Sequence, residues 1–440
     1  MHQGLLIPEV LLEIFAYVNI IPSTETTSTQ KLLAALARTC KIFHEPAMDL
    51  LWTEIHGLEP LLGCVARLHP LIYHIGTRWG DSYKPRWAKG VEPLSAHETH
   101  QFLRHSSRIR TLNIRSEHPY LLSVIPAEAY VFPRLKSLSF SAIYLNHFLP
   151  RTMHRCHLLS VDKGLQYFVT RCIALEHLYI YTPISDDDGS TADELSLLSD
   201  RIHWCTRLVT LSCPMLDWAA WKHLSCLPTL LKLEIDPGCI DSPSLPKQDL
   251  VNLSFLNITS LSFRELCDAG DIITVMQHSR FPSLKEFDFE AHFLSLEKAE
   301  QLSHALPHYN DVLLQAMSSW PHIRTLDISH LLDDHLSSSE VSLRGLFTAL
   351  SLCPQLHRLR LPINIATIDV DPDAEPIQHT SLRSLELETS ESEIADAETL
   401  ARIISAWLPC VDQVLSTDRR WDKFNKHLKS LRAATAPYAC

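Results

Sequence analysis

The stretch FPSLKEFDF, residues 281–289, decides the fold because its pattern recurs along the chain. Apolar and polar residues alternate around Phe287, which predicts a strand with one face in the core. Pro282 lies five residues before this central apolar position. The same offset recurs in FPRLKSLSF (132–140), LPTLLKLEI (227–235), WPHIRTLDI (320–328), CPQLHRLRL (353–361) and, in a weaker form, LPCVDQV (408–414).

Further copies keep the apolar pattern without the proline, and all copies together define a repeat. The central apolar residues follow one another at intervals of 22 to 40 residues. A unit of that length indicates a solenoid or array, in which each repeat buries its apolar face on its neighbours. Because proline cannot continue a helix, the unit is expected to be helix, turn, strand and loop. The central positions are 112, 138, 178, 211, 233, 261, 287, 326, 359, 385 and 414.

Composition excludes several classes of function. The 440 residues carry a formal net charge of −12, which argues against general nucleic-acid binding, because that needs a basic surface. We find no stretch long enough for a membrane span and no secretory signal, so we expect a cytoplasmic and/or nuclear protein. Of the 12 cysteines, three occupy equivalent repeat positions and are expected to be buried and reduced, namely Cys172, Cys205 and Cys353.

Motifs of catalysis are missing from the sequence. None of the 11 glycines forms a phosphate-binding loop, and neither a nucleophile elbow nor a zinc-binding spacing is present. We therefore predict no cofactor, no metal and no catalytic residue. An enzyme within an α/β repeat array remains the least favoured alternative.

The N-terminal region has a different pattern from the repeats. Apolar residues at helical spacing predict a helix over 5–18, a second over 30–42 and a third apolar run over 43–55. Three short helices make a small core that a partner could complete. These residues resemble the F-box: Ile7-Pro8-Glu9-Val10-Leu11-Leu12-Glu13-Ile14-Phe15 matches the opening of that family, Leu36, Cys40 and Phe43 its second helix, and Leu51-Trp52 with Ile55 its close.

The repeats in turn resemble the irregular leucine-rich repeats that follow an F-box in fungal proteins. The resemblance implies an α/β fold class: a three-helix F-box at 1–56, a linker or N-terminal cap at 57–105, leucine-rich repeats at 106–416 and a C-terminal capping helix and tail at 417–440. The parallel sheet would line the concave face of the solenoid and the helices its convex face. As an alternative, residues 5–56 only cap the solenoid.

What the resemblance implies about function is a non-catalytic substrate receptor of a Skp–cullin–F-box ubiquitin ligase. The F-box would bind a Skp-type adaptor, and through it a cullin, while the solenoid holds a protein substrate. The alternative is an interaction scaffold with a degenerate F-box and no ligase role. The expected adaptor contacts are Ile7, Pro8, Val10, Leu11, Leu51 and Trp52.

Strand residues that alternate with the buried ones should line the concave face. This alternation gives an acidic middle section, so we expect a substrate with a basic patch, steered by the acids and contacted by tyrosines. The basic amphipathic helix at 418–434 fits a C-terminal cap, or alternatively a membrane surface, although no membrane partner is predicted. The candidate substrate contacts are Tyr179, Tyr181, Glu286, Asp288, Glu290, Arg358 and Arg360.

Overall fold

The structure is a computed structural model of the whole chain, which divides into two compact units, Met1–His177 and Leu178–Cys440. Each unit is considered by itself below. The structure describes residues 7, 10–11, 13–15, 17, 26–72, 92–114, 124–125, 131–140, 153–158, 174–181, 192–236, 252–264, 269–292, 313–314, 317–331, 341–371, 376–388, 394, 396–416 and 421–435.

The first unit contains a parallel sheet whose strands pair at the repeat positions. Its central residues are register partners: Ile55 with Leu112, Leu112 with Leu138, and Leu138 with Cys156. All four side chains are at most 4% exposed, so they form the core side of the sheet. The strands are β1 (Glu54–His56), β2 (Thr111–Asn113), β3 (Ser137–Phe140) and β4 (Arg155–Leu158), and β5 (His177–Ile180) spans the boundary between the units.

Two of these strands escaped the sequence prediction. The 40-residue interval between Leu138 and Leu178 contains β4, whose sequence MHRCHL places Cys156 where other repeats have Leu or Phe. A buried cysteine fills that position because it packs as a small apolar residue. The other strand, β1, begins only three residues after the end of a helix, so the apolar pattern around Ile55 does not separate it from the helical run.

Helices precede the sheet in this unit. Residues 10–11, 13–15 and 17 are helical, and Cys40 separates the next two helices because its backbone is extended, with φ −155° and ψ 162°. The bounds predicted for the second helix, 30–42, are therefore wrong, because the observed helix begins at Thr26 and ends at Thr39. The next helix continues through Pro46. The helices are α1 (Thr26–Thr39), α2 (Lys41–Leu51), α3 (Glu59–Leu62), α4 (His69–Ile72) and α5 (Ala96–Ser106).

The second unit has the same parallel pairing, with buried central residues in register, over more strands. Residues 211, 233, 261, 287, 326, 359, 385 and 414 are successive register partners, and each is at most 6% exposed. The prediction of parallel strands at all the repeat positions is confirmed. The strands are β6 (Thr210–Cys213), β7 (Lys232–Ile235), β9 (Ser260–Phe263), β11 (Glu286–His292), β12 (Thr325–Leu331), β14 (Arg358–Asn364), β15 (Ser384–Glu388) and β16 (Val414–Leu415).

Short accessory strands and helices complete the second unit. The accessory strands β8 (Leu253–Ser254) and β10 (Ser279–Arg280) pair in parallel, and β13 (Val341–Ser342) pairs with β14. The helix predicted at 418–434 is observed over Trp421–Thr435. The helices are α6 (Ala192–Ile202), α7 (Trp218–Ser225), α8 (Ala269–Gln277), α9 (Leu343–Leu352), α10 (Ala397–Trp407) and α11 (Trp421–Thr435).

The recurring prolines form β-turns ahead of the strands. In the turn that begins at Phe281, the Leu284 N–H donates to the Phe281 carbonyl at 3.2 Å, with Pro282 second in the turn. Proline favours that position because its fixed φ already matches the turn. Turns of the same kind begin at Phe132, Trp320, Cys353 and Leu408.

Side chains tie each turn to the one before it in the second unit. The Thr229 hydroxyl donates to the Leu208 carbonyl at 2.7 Å, and the Ser283 hydroxyl donates to the Leu256 carbonyl at 2.6 Å. Buried His379 links two turns, because its Nε2 lies 2.9 Å from the Cys353 carbonyl and its Nδ1 accepts from the Leu382 N–H. These bonds give turn carbonyls a side-chain donor, and they hold neighbouring repeats in register.

The cysteine prediction can be checked at two of its three positions. Cys205 is 5% exposed and Cys353 is fully buried, as predicted, whereas Cys172 lies outside the described part of the chain. Burial raises the pKa of the Cys205 thiol to about 12 and that of Cys353 to about 11. Because the thiolate is the reactive form, both are chemically inert near neutral pH.

Candidate functional site

The N-terminal helices of the first unit pack around a small core of their own. Leu11 and Phe15 are buried against Leu33, Ala37 and Ala47. Phe15 also meets Phe43 edge to face, with ring centroids 5.6 Å apart. Such edge-to-face pairs stabilise a core by about 0.5–1.5 kcal/mol beyond the buried area. These contacts fix which side of the N-terminal helix faces inward.

The adjacent side of that helix is apolar and exposed. Ile7, Val10, Ile14 and Tyr17 are exposed by 48%, 38%, 42% and 71%. Their spacing of three, four and three residues places them on one helical face, which we call the N-terminal apolar face. Exposed apolar side chains that occur singly need no explanation, but a contiguous set marks an interaction site. Leu32 in α1 and Ile42 in α2 are also exposed, by 46% and 44%.

The residues predicted to contact an adaptor have different positions in the structure. Ile7 and Val10 belong to the N-terminal apolar face, whereas Leu11 is buried in the core beneath it. Leu51 and Trp52 are half-buried, and Pro8 lies outside the described residues. The Trp52 ring stacks on His105 with centroids 4.7 Å apart, so it packs against α5.

An ion-pair fork joins α2 to the segment before β2. The guanidinium of Arg108, whose side chain is only 17% exposed, donates to the carboxylates of Glu45 and Asp49. The hydrogen bond from Arg108 lowers the pKa of Glu45 below its usual value. Two contacts from one planar group restrict orientation more than a single ion pair does. Together with the Trp52 stack, the fork fixes α2 against the start of the sheet within the first unit.

In the second unit, one face of the sheet carries the strand residues that alternate with the buried ones. We call this set of residues the strand face. Near its beginning, Tyr181 is 45% exposed and Tyr179 is half-buried. Burial raises the pKa of Tyr181, and the negative charges of nearby Glu234 and Asp236 raise it further. Glu234 is compensated within the chain, since Arg264 lies 3.3 Å and Lys232 3.5 Å from its carboxylate. Tyr181 is thus close to two acids, Glu234 and Asp236.

The middle of the strand face is acidic. Glu286 is exposed, and Asp288 accepts a 3.3 Å hydrogen bond from the Ser262 hydroxyl. Asp288 is also the register partner of Asp327 on the next strand. Glu290 belongs to β11, but its side chain lies outside the described part of the structure.

Asp327 is the most perturbed acid of this region. Its pKa is raised to about 6, chiefly by burial; the attraction of Arg360 opposes this rise, and the neighbouring Asp288 adds to it. The Asp327 Oδ1 atom is buried, has no hydrogen-bond partner in the described part of the protein, and lies 3.8 Å from the Arg360 Nε. That distance is too long for a hydrogen bond, so the charge of Asp327 is only partly compensated.

The two predicted contact arginines are already engaged within the chain. Arg360 donates to Glu388 Oε1 at 3.0 and 2.6 Å and lies 3.4 Å from Glu386. Arg358 lies 3.9 Å from both Asp327 and Glu386. The sequence shows that acids and arginines alternate here, but only the parallel register shows that they pair with each other. These arginines therefore order the strand face.

The described part of the chain shows no metal-binding or membrane-spanning feature. None of its helices is both long and apolar enough to cross a membrane. Within the same residues, no group of three or more histidine, cysteine, aspartate or glutamate side chains is arranged to hold a metal ion.

Comparison with solved structures gives weak likenesses. The leucine-rich-repeat protein LegL7 from Legionella pneumophila is 14% identical with a TM-score of 0.31, over 67% of this chain and 91% of that chain. An internalin, InlF, from Listeria monocytogenes is 13% identical with a TM-score of 0.33, over 82% and 96%. In the yeast complex of Rad7 and Elc1, the matching chain is 15% identical with a TM-score of 0.29, over 94% and 90%. No protein-family model and no curated protein matches the sequence.

Proposed function

We propose that this protein is the substrate-recognition subunit of a Skp–cullin–F-box ubiquitin ligase. In this proposal residues 1–56 form the F-box, and the repeats form a leucine-rich-repeat solenoid whose sheet lines the concave side. The F-box binds a Skp-type adaptor and the strand face binds a protein substrate. The protein catalyses nothing, and it increases the rate of ubiquitin transfer by holding the substrate close to the charged enzyme. A cytoplasmic and/or nuclear location belongs to the same proposal.

The observation that supports adaptor binding is the N-terminal apolar face. It lies on a helix that is already anchored by Leu11 and Phe15, so its exposed residues are not needed for the internal core. An apolar face on a small helical cluster is favourable only where a partner covers it. The resemblance of these residues to the F-box identifies the partner as the Skp-type adaptor.

Co-purification with the adaptor tests this part of the proposal. We expect the intact protein to capture the adaptor and the double variant Val10→Glu with Ile14→Glu to lose capture, because two buried charges would face an apolar partner surface. Both side chains are exposed, so the variant should keep its far-ultraviolet circular dichroism. The matched control is Glu13→Lys with Lys31→Glu, which changes exposed charged residues of neighbouring helices and should retain capture.

Failure of the wild-type protein to capture the adaptor would overturn the ligase proposal and leave an interaction scaffold. Equal capture by the Val10 and Ile14 double variant would show that the N-terminal apolar face is not the docking surface. Deletion of residues 1–56 provides a second check, since capture that survives it would also exclude an F-box role.

Substrate binding is assigned to the acidic middle of the strand face. Acidic rows steer association with a basic partner and contribute to its specificity. Proximity labelling with and without a proteasome inhibitor should identify proteins that accumulate near the receptor when degradation stops. Substrates found in this way should bind more weakly after reversal of Glu286, Asp288 and Glu290 to lysine, and unchanged binding would dismiss the acidic surface.

A further inference from the structure

Four neighbouring strands of the second unit each begin immediately after a basic residue. Lys285 precedes β11, Arg324 precedes β12, His357 precedes β14 and Arg383 precedes β15. All four side chains are exposed. We call these residues the basic row. They lie outside the strand face, at the edge of the sheet where the chain enters each strand from the turn.

Backbone hydrogen bonds place the basic row in a continuous line. The Lys285 carbonyl accepts from the Arg324 N–H at 2.7 Å, the Arg324 carbonyl from the His357 N–H at 2.8 Å, and the His357 carbonyl from the Arg383 N–H at 2.9 Å. The four residues therefore occupy successive rungs, which in a parallel sheet are about 4.8 Å apart. Three such steps give a row about 14 Å long.

The cations of this row have no internal counter-charge among the residues that the structure describes. Lys285, Arg324 and Arg383 form no ion pair with any described carboxylate, in contrast to Arg358 and Arg360 on the strand face. The His357 ring is held in place because its Nδ1 donates to the Gln355 carbonyl. The row is confined to four strands, since Thr259 precedes β9 and Gln413 precedes β16. Three exposed cations in line are thus available to an external anion, although the chain as a whole is acidic.

We propose that the basic row binds an extended, carboxylate-rich segment of a partner protein that runs across the four strands. In an extended chain, side chains on one face are about 6.7 Å apart, so a row about 14 Å long matches three alternate acidic residues. Arginine and lysine form charge-assisted hydrogen bonds with carboxylates, and arginine can do so through two parallel bonds.

The surroundings favour a short acidic segment over a nucleic acid. The row is flanked by uncharged Thr259 and Gln413 on the neighbouring strands, so a polyanion longer than the row would find no further cation there. Nucleic-acid binding also needs many phosphate contacts over a basic surface, and this chain has a net charge of −12. The inference goes beyond the proposed ligase function and does not depend on it, because the basic row could act in a scaffold as well.

Fluorescence anisotropy with the full chain and defined probes tests the proposal. The probe is a fluorescein-labelled peptide of four Glu-Ser repeats, and a peptide of four Gln-Ser repeats is the uncharged counterpart. The test variant combines Lys285→Gln, Arg324→Gln and Arg383→Gln. Its matched control combines Lys222→Gln, Lys423→Gln and Lys429→Gln, which removes three equally exposed cations from α7 and α11.

We expect the test variant to bind the Glu-Ser peptide about tenfold more weakly, as the loss of three exposed ion pairs of ordinary strength implies. The control variant, with the same net charge, should bind like the wild type, and added salt should weaken binding of the wild type more than that of the test variant. Adaptor capture should be the same for both variants. Loss of peptide binding can therefore be distinguished from loss of adaptor capture, which tests the ligase proposal.

Three results would overturn the proposal. The first is absence of wild-type binding to the Glu-Ser peptide, or equal binding of the Gln-Ser peptide. The second is equal weakening by the control variant, which would show a general charge effect. The third is tighter binding of a thymidine oligonucleotide than of the peptide, with the same dependence on the basic row, which would assign the surface to nucleic acid.

Discussion

Replacing Asp327 with asparagine should stabilise the second unit at neutral pH. The Asp327 carboxylate is buried on the strand face beside Asp288, and its Oδ1 atom has no hydrogen-bond partner among the described residues. Keeping this group ionised therefore costs free energy in the folded state. Asparagine has nearly the same shape and no charge, so it removes that cost. The ion pairs of Arg360 with Glu386 and Glu388 would remain.

The size of the effect follows from the pKa. Burial raises the pKa of Asp327 from its usual 3.8 to about 6, and two pKa units correspond to about 3 kcal/mol. That pKa already includes the attraction to Arg360, and relaxation around the charged group reduces the expected gain to about 1–2 kcal/mol. Because the folded-state pKa is the higher one, protonation stabilises the fold. This contribution is complete below pH 3.8 and is lost as the pH rises through about 6.

Urea unfolding at pH 7.5 and pH 4.5 measures this difference. We expect Asp327→Asn to raise the unfolding midpoint at pH 7.5 and to bring it much closer to the wild-type value at pH 4.5. The control is Asp200→Asn, an exposed acid on α6, which should change neither midpoint. A lower midpoint for Asp327→Asn at pH 7.5 would refute the reasoning, because it would show that Arg358 and Arg360 already compensate the charge.

Two further predictions concern the turns and the buried thiols. His379→Ala should destabilise the second unit by about 1–3 kcal/mol, because the buried Leu382 N–H loses its acceptor, whereas the Cys353 carbonyl keeps the Leu356 N–H as a donor. A urea midpoint equal to that of the exposed control His357→Ala would contradict this. Iodoacetamide at pH 8 should modify the exposed Cys226 and Cys410 in the native protein but leave Cys205 and Cys353 intact, as measured by mass spectrometry. Equal labelling of all four would show that the two thiols are not buried.

The repeat pattern predicted the strands well because it combines two local constraints. Alternation fixes which residues face the core, and the proline fixes where the preceding turn begins. Both depend on a few consecutive residues, so the sequence alone reveals them. The pattern missed β1 and β4 for a different reason: Ile55 follows a helix almost directly, and Cys156 replaces the usual large apolar residue. Only their pairing with Leu112 and Leu138 identifies them as strands.

The candidate surfaces were less predictable. Helical spacing showed that one side of the N-terminal helix is apolar, but not that Leu11 faces inward while Ile14 and Tyr17 face out. That choice depends on how α1 and α2 pack against it. The basic row was present in the aligned repeats as one polar column. The alternation around the central apolar residue does not reveal it, because the row lies one position before each strand begins.

The sequence by itself therefore determined the positions of the repeat strands other than β1 and β4, the turns and the buried thiols, because each follows from local periodicity and side-chain chemistry. The tertiary structure decided which charges compensate each other. Residues about 30 positions apart become neighbours only through the parallel register, which pairs Arg360 with Glu388. Among the residues that the structure describes, the Asp327 Oδ1 atom has no hydrogen-bond partner. The same register aligns Lys285, Arg324 and Arg383 into one row. Electrostatic interactions depend on distances in space, and a sequence gives those distances only after the chain has folded.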